Sequence, residues 1–119
     1  MSATTLSTAG SVLRAALAER GVMAHTDAVG MSYAIPLDPA TPACEIYIRA
    51  HLSVADRNTS IEHAPAAHTG WTVFLHDRDG VPVGDPLYIA GDGDELIDCV
   101  AESAAAAAFI ADWLNSFRS

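Results

Sequence analysis

Residues 94–117 read DELIDCVAESAAAAAFIADWLNSF. Asp94, Glu95 and Asp98 place negative charge in the first turns, where the orphan N–H groups and positive dipole end of a helix favour it, and Asp92 or Asp94 can serve as the cap. Leu96, Val100, Ala104, Ala107, Ala111 and Leu114 recur at three- and four-residue steps, and Phe109, Ile110, Trp113 and Phe117 widen the stripe toward the end. The spacing predicts one long helix, and the stripe requires an apolar surface beneath it.

Working back toward the N-terminus, that surface reads as a sheet. Trp71 to His76 is a strand, joined through the turn Asp77-Arg78-Asp79-Gly80 to Val81–Val83 and, across Gly84-Asp85-Pro86, to Leu87–Ala90. Cys44, Ile46, Ile48, Ala50 and Leu52 alternate with Glu45, Tyr47, Arg49 and His51, the pattern of an antiparallel strand with one wet face. Val22 to Asp27 and Met31 to Leu37 read as two further strands around a turn at Ala28–Gly30, the second closed by Pro36, Pro39 and Pro42. A first helix near Ser7 to Arg20 carries Leu6, Ala9, Leu13, Ala16 and Leu17 on one face and ends at Gly21 in the left-handed position. The expected fold is α+β, α-β-β-β-β-β-α, with an antiparallel sheet of about five strands and both helices on one face. At 119 residues the chain is expected to form a single domain, 1–119, with a long loop near 53–69.

Composition narrows the function classes. Half of the residues are hydrophobic and 18% charged, the reverse of a disordered chain. There is no lysine, and six arginines against fifteen acidic residues leave a formal charge of −9. GC-rich bacterial coding accounts for the arginine and alanine usage. Scattered arginines neutralise few phosphates at once, so nucleic acid is not an expected partner, and anionic membranes are disfavoured in the same way. The helix–strand–helix order resembles double-stranded RNA-binding domains in outline only, because the closing helix opens on Asp94-Glu95 where such a domain needs a basic end. The missing lysine also excludes Schiff-base chemistry and a Walker-type phosphate loop. Cys44 and Cys99 lie far apart and outside any C-x-x-C pair, and residues 1–5 lack the basic start of a signal peptide. The expectation is a cytoplasmic protein with two reduced, buried thiols.

Candidate sites follow from what is left. The sheet face carrying Tyr47, Arg49 and His51, beside Phe74 if the strands pair as supposed, mixes aromatic and cationic groups, and Trp113 and Phe117 end the closing helix in exposed-looking positions. These six form the expected interaction surface, for a protein partner or for a homodimer burying the aromatic tail. His63 and His68 fall in the non-periodic stretch from Ser53 to Thr69, and His76 adjoins Asp77. They are the candidate metal ligands or acid–base groups, although His63 and His68 are not at a helical i, i+4 step and Asp77-x-Asp79-Gly80 lacks the other ligands of a calcium loop. No serine sits in a G-x-S-x-G elbow, and no cofactor motif is present. The sequence therefore points to a small acidic protein-interaction module without catalysis or cofactor. A small-molecule- or metal-binding protein, or an enzyme, using the histidines around the 53–69 loop is the other reading.

Overall fold

A computed structural model of the chain describes residues 8–26, 31–56, 58–91 and 94–118. Its elements are α1 (Ala9–Ala18), β1 (His25–Thr26), β2 (Tyr33–Pro36), a 3-10 segment (Ala43–Ile48), β3 (His51–Asp56), a 3-10 turn (Pro65–Ala67), β4 (Trp71–His76), β5 (Tyr88–Ile89) and α2 (Cys99–Arg118). The strands form an antiparallel meander in the order β1-β2-β3-β4-β5. Two helices and a five-stranded antiparallel sheet make the expected α+β fold.

Register decides which face the helices cover. Ile35 pairs with Leu52, Tyr33 with Val54, Val54 with Val73 and Val73 with Tyr88. Because side chains alternate along a strand, these residues share one face with Trp71. They form one core with Val12, Leu13 and Leu17 of α1 and Cys99, Ala106, Ala107, Ile110 and Leu114 of α2. Both helices therefore pack on the same face. α1 is started by a reciprocal Thr8–Ser11 capping box, and Gly21, at φ +75°, lets the chain turn so that the Val22 N–H reaches the Leu17 carbonyl.

The strand expected over Cys44–Leu52 is replaced. Residues 43–48 wind into a 3-10 segment whose bonds are local, Glu45 N–H to Pro42 O and Arg49 N–H to Ile46 O, and Glu45 pairs with Arg49 at 2.8 Å one turn on. Its alternation over so few residues fits either backbone, and Pro42 gives a turn-forming start. The segment packs on β2, and its Ile46 is buried outside the main core, as is Ala34, which faces away from the helices. The sheet instead recruits His51–Asp56, the first part of the stretch expected as a loop. Val81–Val83 contributes only an isolated bridge, His76 to Pro82, while the Asp77–Gly80 turn forms as expected.

α2 begins at Cys99, capped by Asp98, whose Oδ1 accepts the Ala101 N–H. Its buried face is Cys99, Glu102, Ser103, Ala106, Ala107, Ile110 and Leu114, so the phase expected from Leu96, Val100 and Ala104 is wrong. Leu96 lies before the helix and is 70% exposed, Val100 is 67% exposed, and Ala104 points to solvent. Five alanines in a row carry no contrast by which to phase a helix. Ala106→Leu is accordingly expected to overpack the core and cost about 1–3 kcal/mol in urea melts, with Ala104→Leu within ~0.5 kcal/mol of wild type. Equal tolerance of the two would contradict the observed phase. Leu6, Ser7, Asp27, the 28–30 turn and Asp92 lie outside the described residues.

Candidate functional site

The face opposite the helices is built from alternate residues of the same strands. His51 pairs with His76, Ser53 with Phe74, Ala55 with Thr72, and Thr72 with Ile89. The 3-10 segment occupies the β2 part of this face, and over β3, β4 and β5 lies a cleft of about 640 Å³. Phe74, Ile89 and Ala55 supply apolar lining from the strands, with Pro82 and Pro86 from the 77–87 connection. Hydroxyls come from Ser32, Ser53, Thr59 and Thr72, and among the described residues Asp56 and His76 are the titratable members of the lining.

Behind the sheet a polar row runs through the buried interior. Glu102 projects from the core face of α2 and is 8% exposed. Its Oε1 accepts from His68 Nε2 at 2.6 Å and from the Trp71 backbone N–H at 3.0 Å, and its Oε2 accepts the Tyr88 hydroxyl at 2.7 Å. His68, wholly buried, meets His63 through Nδ1···Nε2 at 3.0 Å, the two rings stacked at 5.2 Å with 3° between planes. His63 Nδ1 then lies 3.1 Å from Ser60 Oγ and 3.4 Å from Asp56 Oδ2. The row ends on Asp56, whose Oδ1 accepts the Asn58 and Ser60 N–H groups. Trp71, beneath both rings, is anchored by its indole N–H on Ser103 Oγ at 2.9 Å.

The loop bearing the histidines is tied to both helices. The Ala9 and Gly10 N–H groups donate to the His63 and Ile61 carbonyls at 2.8 Å, and the Ile97 N–H donates to the His68 carbonyl at 2.9 Å. A Cβ at Gly10 would stand 2.4 Å from the Ile61 carbonyl oxygen, so α1 can approach the loop this closely only with glycine there.

Burial holds the proton affinity of His63 below its ordinary 6.5, against the opposing pull of Asp56 and with help from His68. Burial also lowers His76, with His51 adding to the effect and Asp77 opposing it. Burial, and then the bond to Glu102, raise the Tyr88 phenol. A histidine whose folded proton affinity is depressed binds more protons unfolded, so its share of stability is complete above about 6.5 and is lost as pH falls toward the folded value. Urea midpoints are expected to be level from about pH 7.5 to 6.5 and to drop below that, with a shallower drop in His63→Gln. A drop of equal steepness in that variant would remove His63 as its source.

The expected candidates are divided by the structure. His63 and His68 come together, but bonded to each other, while His76 and Asp77 lie at the far end of β4. Among the described residues no group of three or more His, Cys, Asp or Glu is placed to hold a metal ion. Asp77 instead closes its turn, its Oδ1 accepting the Asp79 and Val81 N–H groups, which hold its carboxyl below the usual range. Phe74 is half-buried in the cleft lining; Arg49 is exposed but off the sheet; His51 is buried, its Nδ1 on the Arg49 carbonyl. The Tyr47 side chain lies outside what is described. Trp113 stacks on Phe117 at 5.4 Å, and Phe117 is 56% exposed. Cys99 is buried but Cys44 is exposed, against the expectation that both thiols are buried, and both are free.

Glu102, Tyr88 and Asp56 were not among the sequence candidates. An acid inside an apolar stripe is the signal that could have marked Glu102, and the misphased helix concealed it. Ser60 on His63 has the look of a nucleophile with its base. The Asp56 carboxylate beside them would oppose the oxyanion of acyl transfer. No helix among the described residues is long and apolar enough to cross a membrane. No family model matches the chain, no curated protein matches it, and no solved structure matches it.

Proposed function

We propose that this protein is a non-catalytic interaction module that receives an extended segment of a protein partner on the helix-free face of its sheet. The observation that carries the reading is the cleft itself: Phe74, Ile89 and the Ser53 and Thr59 hydroxyls line it on a face from which both helices are absent. Phe74 and Ile89 offer an anchor site for an aliphatic or aromatic side chain, and the Ser53 and Thr59 hydroxyls offer hydrogen bonds to a backbone. The two edge strands have two residues each, too short a template for strand addition, so recognition falls to the face and not to an edge. The −9 charge steers basic surfaces toward the molecule and faster at low salt, and repels nucleic acid.

Phe74→Glu and Ile89→Glu are expected to abolish capture of a specific partner from a lysate of the source organism while far-UV circular dichroism and the thermal midpoint stay near wild type. Retention of every captured protein by both folded variants would refute the reading. The volume of about 640 Å³ also lies in the range that holds small molecules, which favours a small-molecule carrier as the second reading. A thermal-shift screen of metabolites in place of the lysate separates the two.

A further inference from the structure

Thr59 is the only non-glycine among the described residues at positive φ, +57°; the other five such positions all carry glycine. A left-handed backbone costs a β-branched residue more than it costs glycine or asparagine. The fold draws nothing from the side chain in return: Thr59 is exposed, it lies outside the core, and among the described residues its hydroxyl has no hydrogen-bond partner. Its backbone is held from the other side of the sheet. Asp56 pairs with Trp71 on the helix-covered face and is 6% exposed. Its Oδ1 accepts the Asn58 and Ser60 N–H groups at 2.8 and 2.9 Å, its carbonyl accepts the Thr59 N–H at 3.0 Å, and its own N–H donates to the Ser60 carbonyl at 3.1 Å. Oδ2 faces His63, and through His68 the turn is tied to Glu102 of α2. This clamp keeps Thr59 from relaxing.

What the strain achieves is a position. Thr59 lines the cleft beyond Ala55, whose neighbours across the sheet are Thr72 and then Ile89. Ser53, two residues back on the same face and about 7 Å from Ala55, also has no partner for its hydroxyl among the described residues, whereas Thr72 Oγ1 donates to the Ala55 carbonyl. Backbone strain persists where the surroundings over-determine it, and it gathers at binding sites. Resting on the reading of the cleft as the site for an extended segment, we propose that Thr59 is its specificity-determining residue and that Asp56 positions it from behind the sheet: the Thr59 hydroxyl, with that of Ser53, bonds a peptide group next to the residue anchored on Phe74 and Ile89, so that the cleft selects an aromatic or aliphatic residue within a backbone over the same side chain alone.

The division of labour follows from the chemistry of the lining. Phe74 and Ile89 grip an apolar group and are blind to what carries it. A hydroxyl both donates and accepts, so Ser53 and Thr59 can meet a peptide N–H or a peptide carbonyl. Asp56 contributes through the shape of the 56–60 turn, since its carboxylate oxygens are engaged by the Asn58 and Ser60 N–H groups and by His63. An amide oxygen at position 56 would serve the turn as well, and a methyl would not.

Two measurements on the full chain test this. In urea melts, Thr59→Gly is expected to raise the midpoint, because glycine takes the left-handed backbone without strain, and Thr59→Val to leave it at or below the wild-type value. A Thr59→Gly midpoint at or below wild type overturns the strain and the proposal with it. The second uses N-acetyl-phenylalanine methylamide, a phenyl side chain between two peptide groups, and ethylbenzene, which has the ring without them, both read from the amide signals of Ser53, Thr72 and Phe74. The peptide probe is expected to bind about fivefold more tightly than ethylbenzene, and Thr59→Val and Thr59→Gly to remove most of that difference while leaving ethylbenzene binding unchanged. Asp56→Ala should lose the difference likewise, and Asp56→Asn should retain it. If both probes bind the wild type alike, or if the Thr59 variants keep the difference, the cleft stands and the role of Thr59 is wrong; if neither probe perturbs the cleft, both fall. Should Asp56→Ala fail to fold, the Thr59 variants decide the matter.

Discussion

Glu102→Ala is expected to cost about 3–5 kcal/mol in urea melts, a large part of the stability of a domain this size. The carboxylate receives three donors, the His68 ring, the Trp71 backbone and the Tyr88 hydroxyl, and the first two are buried beneath α2. Truncation strands all three, and an unpaired buried donor costs far more than the net worth of the bond it loses. Glu102→Gln should be milder, because an amide oxygen can keep His68 and Trp71 while its NH2 donates to the Tyr88 oxygen. A loss below about 1 kcal/mol in Glu102→Ala would mean that the row contributes little to the fold. The identity of the variant's most exposed segment is also specified: loss of His68 from Glu102 should free the 60–70 loop, raising hydrogen exchange at Ala9, Gly10 and Ile97, whose N–H groups end on that loop.

Gly70→Ala is expected to cost about 3 kcal/mol, through two independent faults. Gly70 sits at φ +125°, where side chains are strained, and a Cβ there would stand 2.2 Å from the Ala90 carbonyl oxygen. That oxygen belongs to backbone and cannot swing aside. The Ala90 N–H bonds the Trp71 carbonyl, so relief requires β5 to lift from β4 and to carry Tyr88 away from Glu102. Gly84, at φ +72° with open space around it, provides the contrast: Gly84→Ala should cost only about 1 kcal/mol. Similar losses at the two sites would show that the close approach of residues 70 and 90 is not maintained in solution. Amide exchange at Ala90 reports the lifting directly.

Residues 71–76 and the turn at 77–80 were legible because both signals are local: alternating large side chains in the first, Asp and Gly at fixed offsets in the second. The helix at 99–118 was legible as an element but not in phase. Its stripe contains a glutamate and a serine that belong to the core, since Glu102 serves His68 and Ser103 serves Trp71, and its five alanines offer every face alike. Residues 44–52 alternate well enough for a strand, yet those after Pro42 wind locally and the sheet takes 51–56 instead. Periodicity over nine residues does not choose between a local winding and a pairing whose partner lies far along the chain.

The sequence by itself determined that this chain is acidic and lysine-free, that it has a helix at each end of an antiparallel sheet of about five strands, and that Phe74 and His76 share one side of a strand; composition and short periods suffice for that. Only the tertiary structure decided that the helices cover the other side, that the cleft opens between β3, β4 and β5, and that His63 and His68 end on a glutamate 34 residues beyond. Contacts at such separation leave no trace in spacing. They exist because Glu102, buried on the core face of α2, requires donors, and the chain supplies them from the loop, β4 and β5 at once.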